Sequence, residues 1–296
     1  MDRPEDRAKD QPTDRTAESA ADGGDGAGRG DGAAKRSRRR FLRDLSMVGA
    51  GGVVGAAAAA TVDRTALADD HKFPANGPAT HPDRHHPPKH GHVDVHWNVD
   101  TEKKLVALTF DDGPMPQWTP MVLDTLEKAD VPATFFLVGR RVLDNARILE
   151  GRTARHEFGN HTWAHKNLAT MGVDAAHDAI ARAHDAIEKV TGREPTQMRP
   201  PYGHLGGTTL LAAADLGYDV TLWSLQMVES EYVNNPPGLV TYIVDSVLPG
   251  TILLAHDTGP QDRLVALKGL PDMISGLRAK GYEFTTVSEL VAENRK

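Results

Sequence analysis

The sequence contains no cysteine. Disulfides and thiolate metal sites are therefore excluded, and any bound metal must be held by histidine and carboxylate ligands. A basic excess is also missing: the formal net charge is -7 and the pI lies near 6.0. That speaks against nucleic acid as a partner, because a basic footprint is absent. There is no internal repeat and no Gly-rich fingerprint of a phosphate cradle. Residues 1–36 hold almost no large apolar side chain and consist mainly of Asp, Arg, Gly and Ala. A stretch of that kind cannot bury a core and is predicted to be a disordered polar tail.

Residues 37–68 have a different character. Ser37-Arg38-Arg39-Arg40-Phe41-Leu42-Arg43 precedes the uncharged, Ala- and Gly-rich run Leu45 to Val62, and Ala66-Leu67-Ala68 supplies small residues in cleavage-site spacing. A basic region, a mildly apolar region and an Ala-x-Ala site predict a signal peptide, and the paired arginines resemble a twin-arginine export signal. The alternative is an uncleaved anchor, which the weak hydrophobicity disfavours. The expected product is a secreted or cell-wall-associated protein that meets the membrane only in transit. Residues 69–102 carry His71, His81, His85, His86, His90, His92 and His96 among prolines. Proline blocks regular pairing, so an extended His/Pro-rich linker is expected, binding metal at most adventitiously.

From residue 103 to 292 apolar runs alternate with helical patterns, enough for one domain with a sizeable core. The first run, Leu105-Val106-Ala107-Leu108, leads into Thr109-Phe110-Asp111-Asp112-Gly113-Pro114. An apolar β-rich run stopped by Gly-Pro predicts a buried strand, with both carboxylates at its C-terminal edge. α/β sheets and barrels place their chemistry at that edge. Alone, the Asp pair reads either as a solvated turn or as part of a metal site.

A helix is expected from Thr119 as N-cap with Pro120 at its first position. A strand should follow at 133–139 and a short helix at 142–150. His161 and His165 lie four apart; on a helical turn both rings would share one face and could grip one ion. Further helices are expected at 174–190 (with Gly192 as C-cap), 208–216, 236–247 and 264–280. His177 and His184 are read as solvated. Strands are expected before Met198-Arg199-Pro200-Pro201-Tyr202-Gly203, at 219–225, at Thr251–Asp257 and at 281–287. Regular alternation of strands and helices predicts an α/β fold on a parallel sheet, open or closed into a barrel.

Taken together, Thr-Phe-Asp-Asp-Gly-Pro, His-Thr-x-x-His, Arg-x-Pro-Tyr-Gly and Leu-x-His in this order resemble the polysaccharide deacetylases with a NodB-homology domain, carbohydrate esterase family 4. The resemblance spans about residues 103–292. It implies a distorted (β/α) barrel of about seven parallel strands. It further implies a divalent metal, most often zinc with Co2+ or Ni2+ as alternatives, on Asp112, His161 and His165. Asp111 would be the general base, Arg199 its orienting partner, and His256 the general acid. The Tyr202 backbone N–H would help hold the oxyanion, and Leu254 would line the pocket for the acetyl methyl.

The implied function is a secreted, metal-dependent deacetylase acting on N-acetyl, or O-acetyl, groups of a polysaccharide such as chitin oligomers or peptidoglycan. The alternatives are a catalytically weak glycan-binding protein and a small-amide or imide hydrolase on the same fold. One motif departs from the family. Its Trp-Ser-x-Asp-x-x-Asp-Trp stretch reads Trp223-Ser224-Leu225-Gln226-Met227-Val228-Glu229-Ser230 here. Gln226 cannot raise the pKa of His256 by charge, and Glu229 is the remaining candidate for that role. Arg155 and Phe158 are smaller departures around the histidine motif.

Overall fold

A computed structural model describes residues 91–294 of the chain. The expected polar tail (1–36), the expected export signal (37–68) and residues 69–90 of the expected linker lie outside the described residues. Nine strand segments and seven helices alternate. The strands are β1 (Val95–His96), β2 (Leu105–Asp111), β3 (Thr134–Leu137), β4 (Glu157–Asn160), β5 (Gln197–Met198), β6 (Asp219–Thr221), β7 (Leu225–Gln226), β8 (Thr251–His256) and β9 (Glu283–Thr285). The helices are α1 (Thr119–Ala129), α2 (Gly139–Asp144), α3 (Val173–Thr191), α4 (Gly207–Asp215), α5 (Pro236–Ser246), α6 (Leu264–Ala279) and α7 (Val287–Glu293).

Every strand ladder is parallel, in the order β1-β6-β5-β4-β3-β2-β8-β7. β9 pairs with the first half of β2, on the edge whose second half takes β3. The stretch 219–226 turns the sheet back on itself. Its β6 half pairs with β5, the Ser224 N–H donates to Ile252 O at 3.1 Å, and its β7 half pairs with β8. The result is a distorted (β/α) barrel, as the alternation of elements predicted. The surplus over seven strands comes from the two-residue β1 and from the division of 219–226 into two pieces.

Period-2 alternation explains which side chains face where. Val106, Leu108 and Phe110 of β2 pack outward with Leu123, Leu126, Leu270 and Leu277 of the helices. Each large aliphatic or aromatic side chain so buried contributes about 1.5–3 kcal/mol. The intervening Thr109 and Asp111 turn inward, where Arg199 meets both. Leu253 and Ala255 of β8 join the outer core, leaving Leu254 and His256 on the inner face.

Several boundaries differ from the sequence expectations for identifiable reasons. Val95–His96, inside the predicted linker range, forms β1 against β6, and Val99 is buried. β4 was not foreseen because Glu157-Phe158-Gly159-Asn160 has one large apolar residue. Gly159 is needed there, since a Cβ would stand 2.6 Å from the Phe136 ring. Trp118 rather than Thr119 takes the N-cap position of α1. Thr119 is buried, accepts the Met115 N–H and donates to Asp257. The last strand stops at Thr285 because Thr286 and Glu289 form a capping box that starts α7. His184 is not solvated; its Nδ1 lies 2.7 Å from the Tyr218 hydroxyl. His177 pairs with Asp215 at 3.2 Å.

Gly250 fixes the start of β8. Its φ is 78°, and a Cβ would lie 1.7 Å from Val99 O, while the Val99 N–H donates to Gly250 O and so bridges to the segment after β1. Gly250→Ala combines left-handed backbone strain with a direct clash. It is expected to lower the unfolding free energy by more than about 2 kcal/mol in urea denaturation; an unchanged midpoint would refute this assignment.

Candidate active site

Strand register gathers the site. Asp111 stands opposite His256 on β8 and opposite Phe136 on β3, while Asn160 stands opposite Met198. The residues that follow these strand ends, Asp112, His161 and Arg199, therefore share the C-terminal rim of the barrel with Asp111 and His256.

Arg199 is fully buried. A charge without water must be paired and fully hydrogen-bonded. Its NH1 donates to Asp111 Oδ1 at 2.7 Å and to Thr109 Oγ1 at 2.9 Å. Its Nε donates to Thr221 O at 3.0 Å and its NH2 to Leu222 O at 2.8 Å. The Phe136 ring covers the guanidinium at 4.1 Å. This fixes one oxygen of Asp111. The other, Oδ2, is turned toward His161 Nε2 at 3.8 Å.

Asp112 follows with φ 79°, a left-handed conformation that swings its carboxylate away from that of Asp111. Its N–H donates to Phe136 O and its C=O accepts from Arg141 NH1. Arg263 NH1 holds Oδ2 at 3.1 Å. Oδ1 is then 3.0 Å from His165 Nε2 and 3.6 Å from His161 Nε2. The two histidines do not lie on a helix, as their spacing had suggested. They occupy a tight turn after β4, with Thr162 at φ 66° and His165 at φ 54°. The Thr162 N–H donates to Asn160 Oδ1, and the Gly139 N–H donates to Thr162 O, so α2 braces the turn.

These residues fit a divalent ion. His161 Nδ1 lies 2.7 Å from Arg199 O, a group that only accepts, so this nitrogen carries the proton and Nε2 keeps its lone pair. Burial, with the neighbouring His161, lowers the His165 pKa and favours the neutral ligand form. For Asp112 burial acts the other way. His161, His165, His256 and Arg263 outweigh it and hold the carboxyl below its ordinary range. One carboxylate and two imidazoles converge within 4.8 Å, a set that leaves coordination positions open.

His256 is largely buried. Burial pulls its pKa down to about 4, and its Nδ1 is buried without a hydrogen-bond partner among the described residues. Asp111 and Asp112 oppose that shift, while Arg263 and His161 add to it. The Glu229 carboxyl is pushed up to about 7 by its burial, and Oε1 has no partner among the described residues. Gln226 is exposed on β7. Gln226 is neutral, so Glu229 stays the one acidic side chain of the altered motif's two replacements.

Leu254 is buried on the inner face, two residues before His256. Tyr202 has φ 64°; its exposed ring packs edge-on against His165 at 4.9 Å. Two further residues shape the site without a sequence signal pointing to them, and a third, Asp257, belongs to the His-Asp pair at which the β8 apolar run stops. Arg263 and Arg141 pin Asp112 from distant elements. Asp257, pushed up to about 7 by burial, fills the space beside Gly113, where a Cβ would meet Oδ2 at 2.3 Å.

His256 has a folded pKa below its unfolded value of 6.5. Its neutral form therefore favours the folded state above pH 6.5, and that contribution is lost as pH falls toward 4. In the metal-free protein, NMR titration of the His256 ring is expected to show a midpoint near pH 4, unmoved by Glu229→Gln. A midpoint above 6, or one that drops on that substitution, would make Glu229 its partner.

Comparison with known proteins matches this arrangement to a family. The polysaccharide deacetylase family model matches residues 98–221. A peptidoglycan-N-acetylglucosamine deacetylase of Bacillus cereus is 35% identical over 201 residues, covering 67% of this chain and 92% of that protein. The peptidoglycan-N-acetylglucosamine deacetylase PgdA of Listeria monocytogenes is 34% identical over 192 residues, covering 64% of this chain but only 39% of that longer protein. The crystal structure of the Bc1960 peptidoglycan N-acetylglucosamine deacetylase superimposes with a TM-score of 0.63 at 29% identity, covering 67% of this chain and 92% of that one. Inward-facing strand ends, the four motifs in order and these relatives agree, and the chain belongs to the polysaccharide deacetylase family.

Proposed function

We propose that this chain is an exported, metal-dependent hydrolase that removes acetyl groups from N-acetylated sugars of a polysaccharide, with peptidoglycan as the substrate. One observation carries the chemistry. Asp111 has one oxygen locked on Arg199, and its other oxygen faces the Asp112, His161 and His165 donor set, with His256 across the strand pair. The substrate class rests on the two relatives, both described as peptidoglycan-N-acetylglucosamine deacetylases. Export rests on the arginine-led segment at 37–68, and the catalytic unit is assigned to 103–292.

In this reading Asp112 Oδ1 and the Nε2 atoms of His161 and His165 hold a divalent ion, zinc by preference. When bound, it supplies Lewis acidity toward the acetyl carbonyl and lowers the pKa of a water. The chain's own residues do the rest. Asp111 Oδ2 takes a proton from the attacking water, while Arg199 keeps the carboxylate oriented; a positioned base contributes about 10²–10⁴-fold. The Tyr202 backbone N–H donates to the oxyanion, an interaction of roughly 10²–10³-fold in comparable sites. Leu254 excludes water around the acetyl methyl. His256 rests neutral at neutral pH, so it cannot begin as a charged acid. The proton lifted by Asp111 passes on to the leaving nitrogen, with the imidazole as its last carrier. The C–N bond then breaks to give a free amine and acetate.

The test is acetate release by the full chain from peptidoglycan and from chitooligosaccharide, after chelation and after adding back zinc or cobalt. Release should require the metal, and Asp111→Asn should cut it by about 10²–10⁴-fold while the ion stays bound. Glycan binding without release under every metal would overturn the hydrolase reading in favour of a binding protein. Preference for a small amide would overturn the polysaccharide.

A further inference from the structure

We propose that the junction of β1 and β6 holds a second divalent metal ion, bound by Asp94, His96 and Asp219, with His92 completing the set. The segment 92–96 reads His-Val-Asp-Val-His. Val93 and Val95 pack on the core cluster formed by Leu168, Ile180, Tyr218 and their neighbours. In an extended chain successive side chains alternate, so His92, Asp94 and His96 fall together on the other face. β6 adds the remaining ligand. Val95 stands opposite Val220 in the parallel ladder, and the Val220 N–H donates to Asp94 O at 2.8 Å. This register sets Asp219 beside Asp94 on the same face.

The donor atoms already converge. One ligand atom each from Asp94, His96 and Asp219 lies within 4.8 Å of the others. His96 Nε2 is 3.9 Å from Asp219 Oδ2, and His92 Nε2 is 3.5 Å from Asp94 Oδ1. Ligand atoms around one zinc stand roughly 3–4 Å apart, so a contraction of about 1 Å completes the site. An independent sign is that His96 Nε2 is buried and has no hydrogen-bond partner among the described residues. A buried imidazole nitrogen without a partner needs an explanation, and a coordinated cation supplies one.

This site is separate from the one at the C-terminal rim. Asp219 is the first residue of β6, and Asp94 immediately precedes β1. In a parallel barrel both stand at the rim opposite Asp111 and His256. Two imidazoles and two carboxylates fill a tetrahedral shell, as structural zinc sites require. Its effect would be to clip the two-residue edge strand β1 to β6, where the His-rich segment enters the folded domain. An ion bound by the folded state alone raises thermal stability.

The experiment counts zinc in the full chain after desalting, with thermal melting alongside. Two zinc ions per chain are expected, and one after His96→Gln or Asp219→Asn, with acetate release retained. His161→Gln also reduces the count to one, so failure of the catalytic site would appear separately. In the His161→Gln protein zinc should raise the melting temperature, and adding Asp219→Asn should abolish that rise. Replacing His71, His81, His85, His86 and His90 by Ser should leave both ions bound. In the unaltered chain, NMR should show the His96 ring shifting on zinc addition, a readout that needs no variant. An unchanged count in both site variants, or an unshifted His96 ring, overturns the proposal. Loss of the second ion with the five-histidine replacement assigns it to that tract and overturns it equally.

Discussion

The barrel's catalytic rim depends on one buried ion pair, Arg199 with Asp111. A guanidinium with no access to water must have its charge and its donors satisfied by protein alone. Here the partners come from two places: the Asp111 carboxylate and Thr109 hydroxyl on β2, and the carbonyls of Thr221 and Leu222 where β6 ends. Arg199 itself follows β5, and its carbonyl holds the His161 ring. One side chain and its own backbone thus tie β2, β4, β5 and β6 into a fixed relation. Such a pair adds little net stability, yet removing one partner typically costs about 3–5 kcal/mol because the other charge is stranded. The constraint specifies geometry more than it adds stability.

Around that anchor the backbone is held in conformations that side chains rarely adopt. Asp112, Thr162, His165 and Tyr202 all have positive φ. All four belong to the segments that carry the donor set or flank it. Two of them are braced by hydrogen bonds: Arg141 holds the Asp112 carbonyl, and Asn160 and the start of α2 hold the Thr162 N–H and carbonyl. Local strain at a cost of order 1–3 kcal/mol per residue persists only where surrounding contacts determine it. Its clustering here, at the rim and not in the helices, fits a site preorganised before any ligand arrives.

How much of this could be read in the sequence depended on the kind of signal. Strand ends were legible where an apolar run stops at a polar pair, as at Leu105 to Asp111 and Ile252 to His256, because burial of both faces leaves a continuous apolar word. The pairing of His161 with His165 was legible from spacing, but its backbone was not. A helical turn and a tight turn can both bring residues four apart together, and the left-handed residues carry no composition mark. β4 was hidden by its single large apolar residue, and β1 by its position in a His/Pro-rich tract. Arg263 and Arg141 were invisible for a different reason. Their contacts with the site cross between distant elements and follow from packing. For Glu229 the motif position predicts nearness to His256; Glu229 Oε1 and His256 Nδ1 are each buried without a hydrogen-bond partner among the described residues.

The central claim is that Arg199 acts on the reaction through Asp111, by orienting the base. A double-mutant cycle on acetate release, with zinc content measured in every variant, tests it most directly. Arg199→Lys and Asp111→Asn should each lower kcat by a similar factor with zinc retained, and the double variant should be no slower than Asp111→Asn alone. Strictly additive losses would show that Arg199 acts independently of the base, and would contradict the account.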